Sequence, residues 1–256
     1  MASDLFSLHG KTAVVTGGSR GIGAATARMA AAQGYAVILS YRTQASAAAA
    51  IVEQITTAGG RALAVQADVS VDAEVVRLFE TAAFTFGAVT ALVNNAGIVE
   101  TKSRVAEMSG ERLLRVMATN VIGSFLCARE AIRTMSTARG GAGGAIVNVS
   151  SAAARLGSPG EFVDYAASKG AIDTFTLGLA REVGNEGIRV NAVRPGIILT
   201  EIHAAAGDAA RIERITPLIP MQRAGVVDEV ARAILWLLSD EASYITGTLL
   251  DVSGGR

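Results

Sequence analysis

Thr12-Ala-Val-Val-Thr16 runs directly into Gly17-Gly18-Ser19-Arg20-Gly21-Ile22-Gly23, and the alanine-rich stretch Ala24–Gln33 follows, stopped by Gly34. The apolar run is short and ends in glycine, which predicts a strand buried on both faces. The alanine-rich run predicts a helix with a glycine stop. A glycine turn therefore joins a strand to the N-terminus of a helix. Backbone N–H groups at such a turn can hold a phosphate, and glycine permits both the sharp turn and a close approach. Gly17, Gly21 and Gly23 are a looser relative of G-x-G-x-x-G, and a turn without a ligand fits this stretch taken alone equally well.

The alternation continues outward from there. Ala36-Val-Ile-Leu-Ser-Tyr41, Arg61-Ala-Leu-Ala-Val-Gln66, Ala91-Leu-Val-Asn94, Ala145-Ile-Val-Asn-Val149, Arg189-Val-Asn-Ala-Val193 and Leu249-Leu-Asp-Val252 read as further strands. Between them, Ala45–Ala58, Asp72–Phe86, Glu111–Met135, Phe162–Val183 and Asp228–Leu238 read as helices. Ser70 is placed to cap the Asp72 helix, whose first turn carries acids as the helix dipole favours. Val230, Ile234, Trp236 and Leu237 are assigned to the core. Arg139–Gly144 reads as a mobile surface loop. Strand–helix alternation of this kind implies an α/β fold, a doubly wound parallel sheet in three layers with helices on both faces. One domain over residues 1–256 accommodates it, with no repeat and no linker.

Half of the residues are hydrophobic and the formal net charge is zero, which excludes a disordered chain and a nucleic-acid footprint. Cys127 is the only cysteine, so no intrachain disulfide and no cysteine-rich metal site is expected. The first residues lack the basic and apolar blocks of a secretory signal, and no apolar run approaches membrane-spanning length. A cytoplasmic protein without membrane or nucleic-acid partners is the expectation.

Ligands of such sheets sit beyond the carboxyl ends of the strands. Gly17–Gly23, Asp68, Asn94–Gly97 and Ser150-Ser151 all fall there. Tyr165 and Lys169 stand four positions apart on a helix, so their side chains share a face. A tyrosine titrates near ~10, and a neighbouring ammonium favours its phenolate, so the pair can serve as a tuned proton donor and acceptor; a Tyr and a Lys on one helix touching nothing fits the spacing taken alone better.

Together these motifs make the chain resemble the short-chain dehydrogenase/reductases over nearly its whole length, including members similar to 3-oxoacyl-carrier-protein reductase and glucose dehydrogenase. The resemblance implies a Rossmann-type fold. It implies a catalytic tetrad of Asn120, Ser151, Tyr165 and Lys169. It implies a cofactor site of Gly17, Ser19, Arg20, Gly21, Ile22, Gly23, Tyr41, Arg42, Asp68, Val69, Asn95, Ala96, Gly97, Tyr165, Lys169, Pro195, Gly196, Ile198 and Thr200. The family's serine usually lies thirteen positions before its tyrosine. Here that position is Ala152; Ser151 lies one earlier, with Ser150 the runner-up.

The reaction implied is hydride transfer between a nicotinamide cofactor and a carbonyl or alcohol carbon, without a metal. The substrate expected is a small ketone, aldehyde or sugar, with a 3-oxoacyl thioester as the alternative. A non-catalytic nicotinamide sensor and an epimerase-like relative are the competing classes. The strand Ala36–Ser40 is followed by Tyr41 and Arg42 with no acid, and Arg20 lies in the glycine turn, so NADP(H) is expected over NAD(H). Thr200–Gln222 is expected to be a mobile lid over the substrate. Small residues on the two long helices, including Gly123, Ala128, Ala171, Gly178 and Ala180, suggest close helix pairing in a homotetramer.

Overall fold

Ala13 and Val15 pack to one side of the sheet and Val14 to the other, the period-two alternation of a strand covered on both faces. The same division runs through Val37, Ile38 and Leu39, and through Ala91, Leu92 and Val93. The computed structural model describes residues 10–200 and 211–256. Its strands are β1 Thr12–Val15, β2 Ala36–Tyr41, β3 Arg61–Gln66, β4 Val89–Asn94, β5 Gly144–Val149, β6 Ile188–Pro195 and β7 Leu249–Val252. They form one sheet in the order β3-β2-β1-β4-β5-β6-β7, parallel at every pairing.

The helices are α1 Gly21–Ala32, α2 Ala45–Thr57, α3 Asp72–Phe86, α4 Gly110–Met117, α5 Gly123–Met135, α6 Ala153–Leu156, α7 Val163–Val183, α8 Arg211–Ile215 and α9 Val227–Leu238. One core joins the sheet to α1, α2 and α9 through Ala27, Ile51 and Ile234. The other joins it to α3, α5 and α7 through Leu78, Cys127 and Leu179. The doubly wound, three-layer sheet expected from the sequence is therefore present. Its direction puts all seven carboxyl ends on one edge.

Several local expectations change. The run from Glu111 to Met135 is not one α-helix: a π turn at Ala118–Ile122 separates α4 from α5. Asn120 sits in that turn and bonds both ways to the backbone of Ile98, which draws an extra residue into the coil. Ser70 does not cap α3. Val71 holds that position, and the Ser70 hydroxyl donates to Asp68 Oδ1 at 2.7 Å. Trp236 is 40% exposed rather than core, while Val230, Ile234 and Leu237 are buried.

The glycine-rich loop before β5 is anchored. Gly143 N donates to Met135 O and Gly144 N to Gly187 O, and a Cβ on Gly141 would lie 2.4 Å from Met135 O. Of the small helix residues, Gly123, Ala128 and Ala180 pack inward against the fold, leaving Gly178 exposed. Apolar side chains are exposed instead on the outer side of α4 and α5, where Leu114, Ile122 and Phe125 stand open.

Candidate active site

The turn after β1 is built for close approach. Gly18 packs so tightly on Leu39 that a Cβ would sit 2.6 Å from that side chain, and a Cβ on Gly23 would sit 2.5 Å from Gly17 O. Gly21 differs: its φ is +56°, and a Cβ there would meet only Thr200 at 3.7 Å. The space above Gly21 is thus a cradle facing the first turn of α1. No side chain caps that helix end and no acid lies in its first turn, so its N–H groups fit a phosphate. Asn95 ties the floor of the turn down by donating to Thr16 O and Gly17 O.

A cleft of 1110 Å³ runs along the carboxyl edge of the sheet. Gly17, Ser19, Arg20, Gly21, Ile22, Tyr41, Arg42, Asp68 and Val69 line one end of it. Asn95, Ala96, Gly97, Ser151, Tyr165, Lys169, Pro195, Gly196, Ile198 and Thr200 line the rest. Two residues expected at the site do not line it. Gly23 lies beneath the turn, and Asn120 is fully buried behind Gly97. The Asn120 amide is consumed by protein: Oδ1 accepts from Ile98 N, and Nδ2 donates to Ile98 O and Ser168 Oγ.

The chemistry concentrates around α7. Lys169 Nζ donates to Val149 O at 2.7 Å and lies 5.6 Å from the centre of the Tyr165 ring. Burial pushes the Lys169 ammonium down to about 8, with Asp173 opposing that shift. Such a group is poised to favour a neighbouring phenolate near neutral pH.

The two serines part company here. Ser150 is buried, and its hydroxyl donates to Asp173 Oδ1 at 2.7 Å and lies 3.1 Å from Lys169 O. Ser151 is half-buried and accepts only from Ala153 N, at 3.1 Å, in the start of α6. A four-residue helix that the sequence reading did not anticipate, α6, lies between Ser151 and Tyr165.

Beside Asp68 in the cleft, Arg42 is exposed and lies 3.8 Å from Asp68 Oδ2. No acid follows β2. An apolar wall of the same cleft is formed by Leu156, Phe162, Ile197, Ile215 and Leu218. Residues 201–210 of the expected lid lie outside the described residues; beyond them, Ile215 and Ile219 pack against Ile197.

Reasoning from sequence missed two buried ion pairs beside this site. Arg194 donates twice to Asp173 Oδ2, and Arg112 donates through Nε and Nη2 to Asp164. A signal for the second was present: Arg112, Val116 and Asn120 recur every four residues, which places a cation on the inward face of the helix.

Among the described residues, no helix is long and apolar enough to cross a membrane, and no group of three His, Cys, Asp or Glu side chains is arranged to hold a metal.

The family model described as enoyl-(acyl carrier protein) reductase matches residues 17–256. An uncharacterized oxidoreductase of Escherichia coli, YgfF, is 55% identical over 95% of this chain and 99% of its own. A 3beta-hydroxysteroid dehydrogenase 1 of Eggerthella lenta is 45% identical over 97% of this chain and 94% of its own. A short chain dehydrogenase of Burkholderia cenocepacia, solved in complex with NADP, superposes with a TM-score of 0.90 at 35% identity, covering 97% of this chain and 98% of that one. The chain belongs to the short-chain dehydrogenase/reductase family, the NAD(P)-dependent oxidoreductases of the CH–OH group.

The lysine supplies a test. Between about 8 and the ordinary lysine value of 10.5, the unfolded chain keeps a proton that folded Lys169 has released. Stability conferred at this position therefore rises with pH through that window. Lys169→Met removes the titration. Its stability relative to the parent, from urea denaturation, is expected to fall steadily from pH 8 to pH 10.5. A difference that stays flat across the window refutes the depressed value.

Proposed function

We propose that this enzyme transfers a hydride between NADP(H) and the carbinol carbon of a small ketone, aldehyde or sugar, with Tyr165 as general acid and base. The observation that carries the reading is the buried Lys169 ammonium beneath the Tyr165 ring, in the same cleft as the open cradle at Gly21. The nicotinamide, when bound, supplies the hydride or accepts it. The chain supplies the rest. The N-terminus of α1 and the Gly17–Ile22 turn hold the pyrophosphate. Asp68 and Val69 flank the adenine, and Asn95, Ala96, Gly97, Pro195, Gly196, Ile198 and Thr200 border the nicotinamide half.

In the reducing direction, the Tyr165 hydroxyl gives its proton to the oxygen of the carbonyl as negative charge grows there. Lys169 stabilises the phenolate left behind. Ser151 donates a hydrogen bond to the same substrate oxygen; Ser150, with its proton directed to Asp173, is assigned a structural role. Asn120 braces Ile98 against α7 and so holds the loop beside Lys169. Thr200, Arg214, Ile215 and Leu218 border the end of the cleft assigned to the substrate.

The apolar wall of Leu156, Phe162, Ile215 and Leu218 supports a second reading of the substrate, a larger apolar alcohol such as a hydroxysteroid, as the name of the Eggerthella lenta relative suggests. A panel of sugars, short ketones, hydroxysteroids and 3-oxoacyl thioesters, followed by absorbance of the reduced nicotinamide, separates these.

Tyr165→Phe is expected to lower kcat by several orders of magnitude with cofactor affinity nearly intact, and Ser151→Ala to lower it more than Ser150→Ala lowers it. Turnover near the parent rate in Tyr165→Phe removes the assignment; the reverse serine ranking moves the role to Ser150.

For the cofactor, Arg42 and Arg20 offer a guanidinium pair to a 2′-phosphate, and the absence of an acid after β2 removes the usual repulsion. Parent kcat/KM is expected to be clearly higher with NADPH than with NADH. Arg42→Ala should raise KM for NADPH on the order of ten- to a hundred-fold, the loss of one charge-assisted hydrogen bond. Preference for NADH in the parent ends this part of the proposal.

The exposed apolar strip of Leu114, Ile122 and Phe125 supports a homotetramer built on the long helices. Light scattering at micromolar concentration is expected to give four times the chain mass; a monomer mass contradicts it.

A further inference from the structure

Asp164 immediately precedes Tyr165, in the first turn of α7, and its carboxylate is almost wholly buried. Oδ2 accepts from Arg112 Nε at 2.7 Å, and Oδ1 accepts from Arg112 Nη2 at 3.2 Å. Oδ1 also accepts from the backbone N–H of Tyr165 at 2.9 Å. The remaining arm of Arg112, Nη1, donates to Thr101 O at 2.6 Å. One ion pair thus fastens three things together: the inward face of α4, the loop after β4 and the peptide that carries the tyrosine. That loop borders the cleft through Ile98 and Val99, and it is fastened at its near end by Asn120, two turns along from Arg112.

Stability alone is a poor account of such a pair. Removing two charges from water is costly, and apolar residues of similar volume in such places are often as stabilising or more so. What a bidentate guanidinium–carboxylate pair provides is direction, because the planar fork fits one geometry. Here the direction is delivered to the backbone of Tyr165 and, through Thr101, to the loop that borders the cleft at Ile98 and Val99.

We propose that Arg112 and Asp164 are positioning residues for the reaction: the pair sets the Tyr165 hydroxyl in register with Lys169 and with the Ile98–Thr101 loop. This rests on Tyr165 being the proton donor described above. Neither residue touches the substrate.

The test uses the full chain saturated with NADP and needs no substrate. Tyr165 ionisation is followed at 295 nm as the difference between each protein and its Tyr165→Phe counterpart. The informative variant is Arg112→Met with Asp164→Asn. It removes one charge of each sign, so their electrostatic effects on the phenol oppose one another, and Asn retains an oxygen for the Tyr165 N–H. Arg112→Lys, which keeps the charge but not the fork, is the milder second variant. NADPH affinity and melting temperature are measured on all of them.

The double variant is expected to raise the Tyr165 midpoint by about one pH unit or more, as the phenol loses its place over the ammonium. NADPH affinity should stay within about two-fold, because the cradle at Gly21 is untouched, and Arg112→Lys should shift the midpoint partway. A midpoint equal to the parent's in both variants overturns the proposal. So does a shift accompanied by a ten-fold or greater loss of NADPH affinity, which marks general collapse of the site. A parent midpoint at the ordinary tyrosine value of about 10 refutes the general acid itself, and is distinguishable because it appears before any pair variant is made.

Discussion

A buried ammonium is costly unless something nearby accepts its protons, and the arrangement of this site follows from how Lys169 is held. Among the described residues its one direct acceptor is Val149 O, the last carbonyl of β5. Its counter-charge is Asp173, one helical turn further along α7. Asp173 in turn accepts from Ser150, the residue after β5, and from Arg194 in β6. Lys169 is therefore correctly seated only when β5, β6 and α7 are in register. The parallel pairing of Asn148 with Ala192 and Val149 with Val193 sets that register. The sheet is the jig for the lysine, and the lysine lies 5.6 Å from the centre of the Tyr165 ring.

The strands and most helices were legible because burial on both sheet faces leaves continuous apolar runs, and glycine marks their ends. Asp72–Phe86 emerged with the bounds read from its periodicity. The glycine turn and Asn94–Gly97 were legible because each combines an unusual residue type with a place at a strand's carboxyl end, and the Tyr165–Lys169 pair because its spacing puts both side chains on one helix face. What was not legible depends on partners distant in sequence. The π turn at Ala118–Ile122 exists because Asn120 bonds Ile98, twenty-two positions away, and no local pattern announces it. Ser70 has the chemistry of a cap, but Asp68 takes its hydroxyl first. Trp236 fits the apolar stripe of its helix and still faces outward, since periodicity places a residue near an edge of the stripe without saying where the cover ends. The Ser150 hydroxyl is taken by Asp173, a partner that sequence spacing does not connect to it.

The polar wiring behind the site has a cost that an apolar core would avoid. Asn94 donates to Asn148 and to Ser124 O, Asn148 donates to Thr176, and Asn94 Oδ1 accepts nothing among the described residues. Such networks stabilise weakly when complete and penalise every alternative packing, because a shifted strand or helix leaves several buried groups without partners. They stand between β4, β5, α5 and α7, the elements that present Asn95, Ser151 and Tyr165 to the cleft. Their effect falls on uniqueness of geometry more than on total stability.

The helix interrupted at Asn120 carries that logic across the whole cleft. Gly123 directly follows the π turn, and a Cβ there would lie 2.6 Å from a methyl of Val69, which lines the cleft. Asn120, three residues earlier, holds Ile98 near the other end. Arg112, a further two turns back, holds Thr101 and Asp164. A single rod therefore touches Val69, the loop at Ile98 and the carboxylate next to the peptide bearing Tyr165. A regular α-helix would advance 1.5 Å per residue with a fixed twist, and the extra residue in the π turn changes the relative phase of its two ends. That phase change lets Gly123 face Val69 while Arg112 and Asn120 keep facing the loop. The irregularity in the helix is what allows one element to set the spacing of both halves of the site.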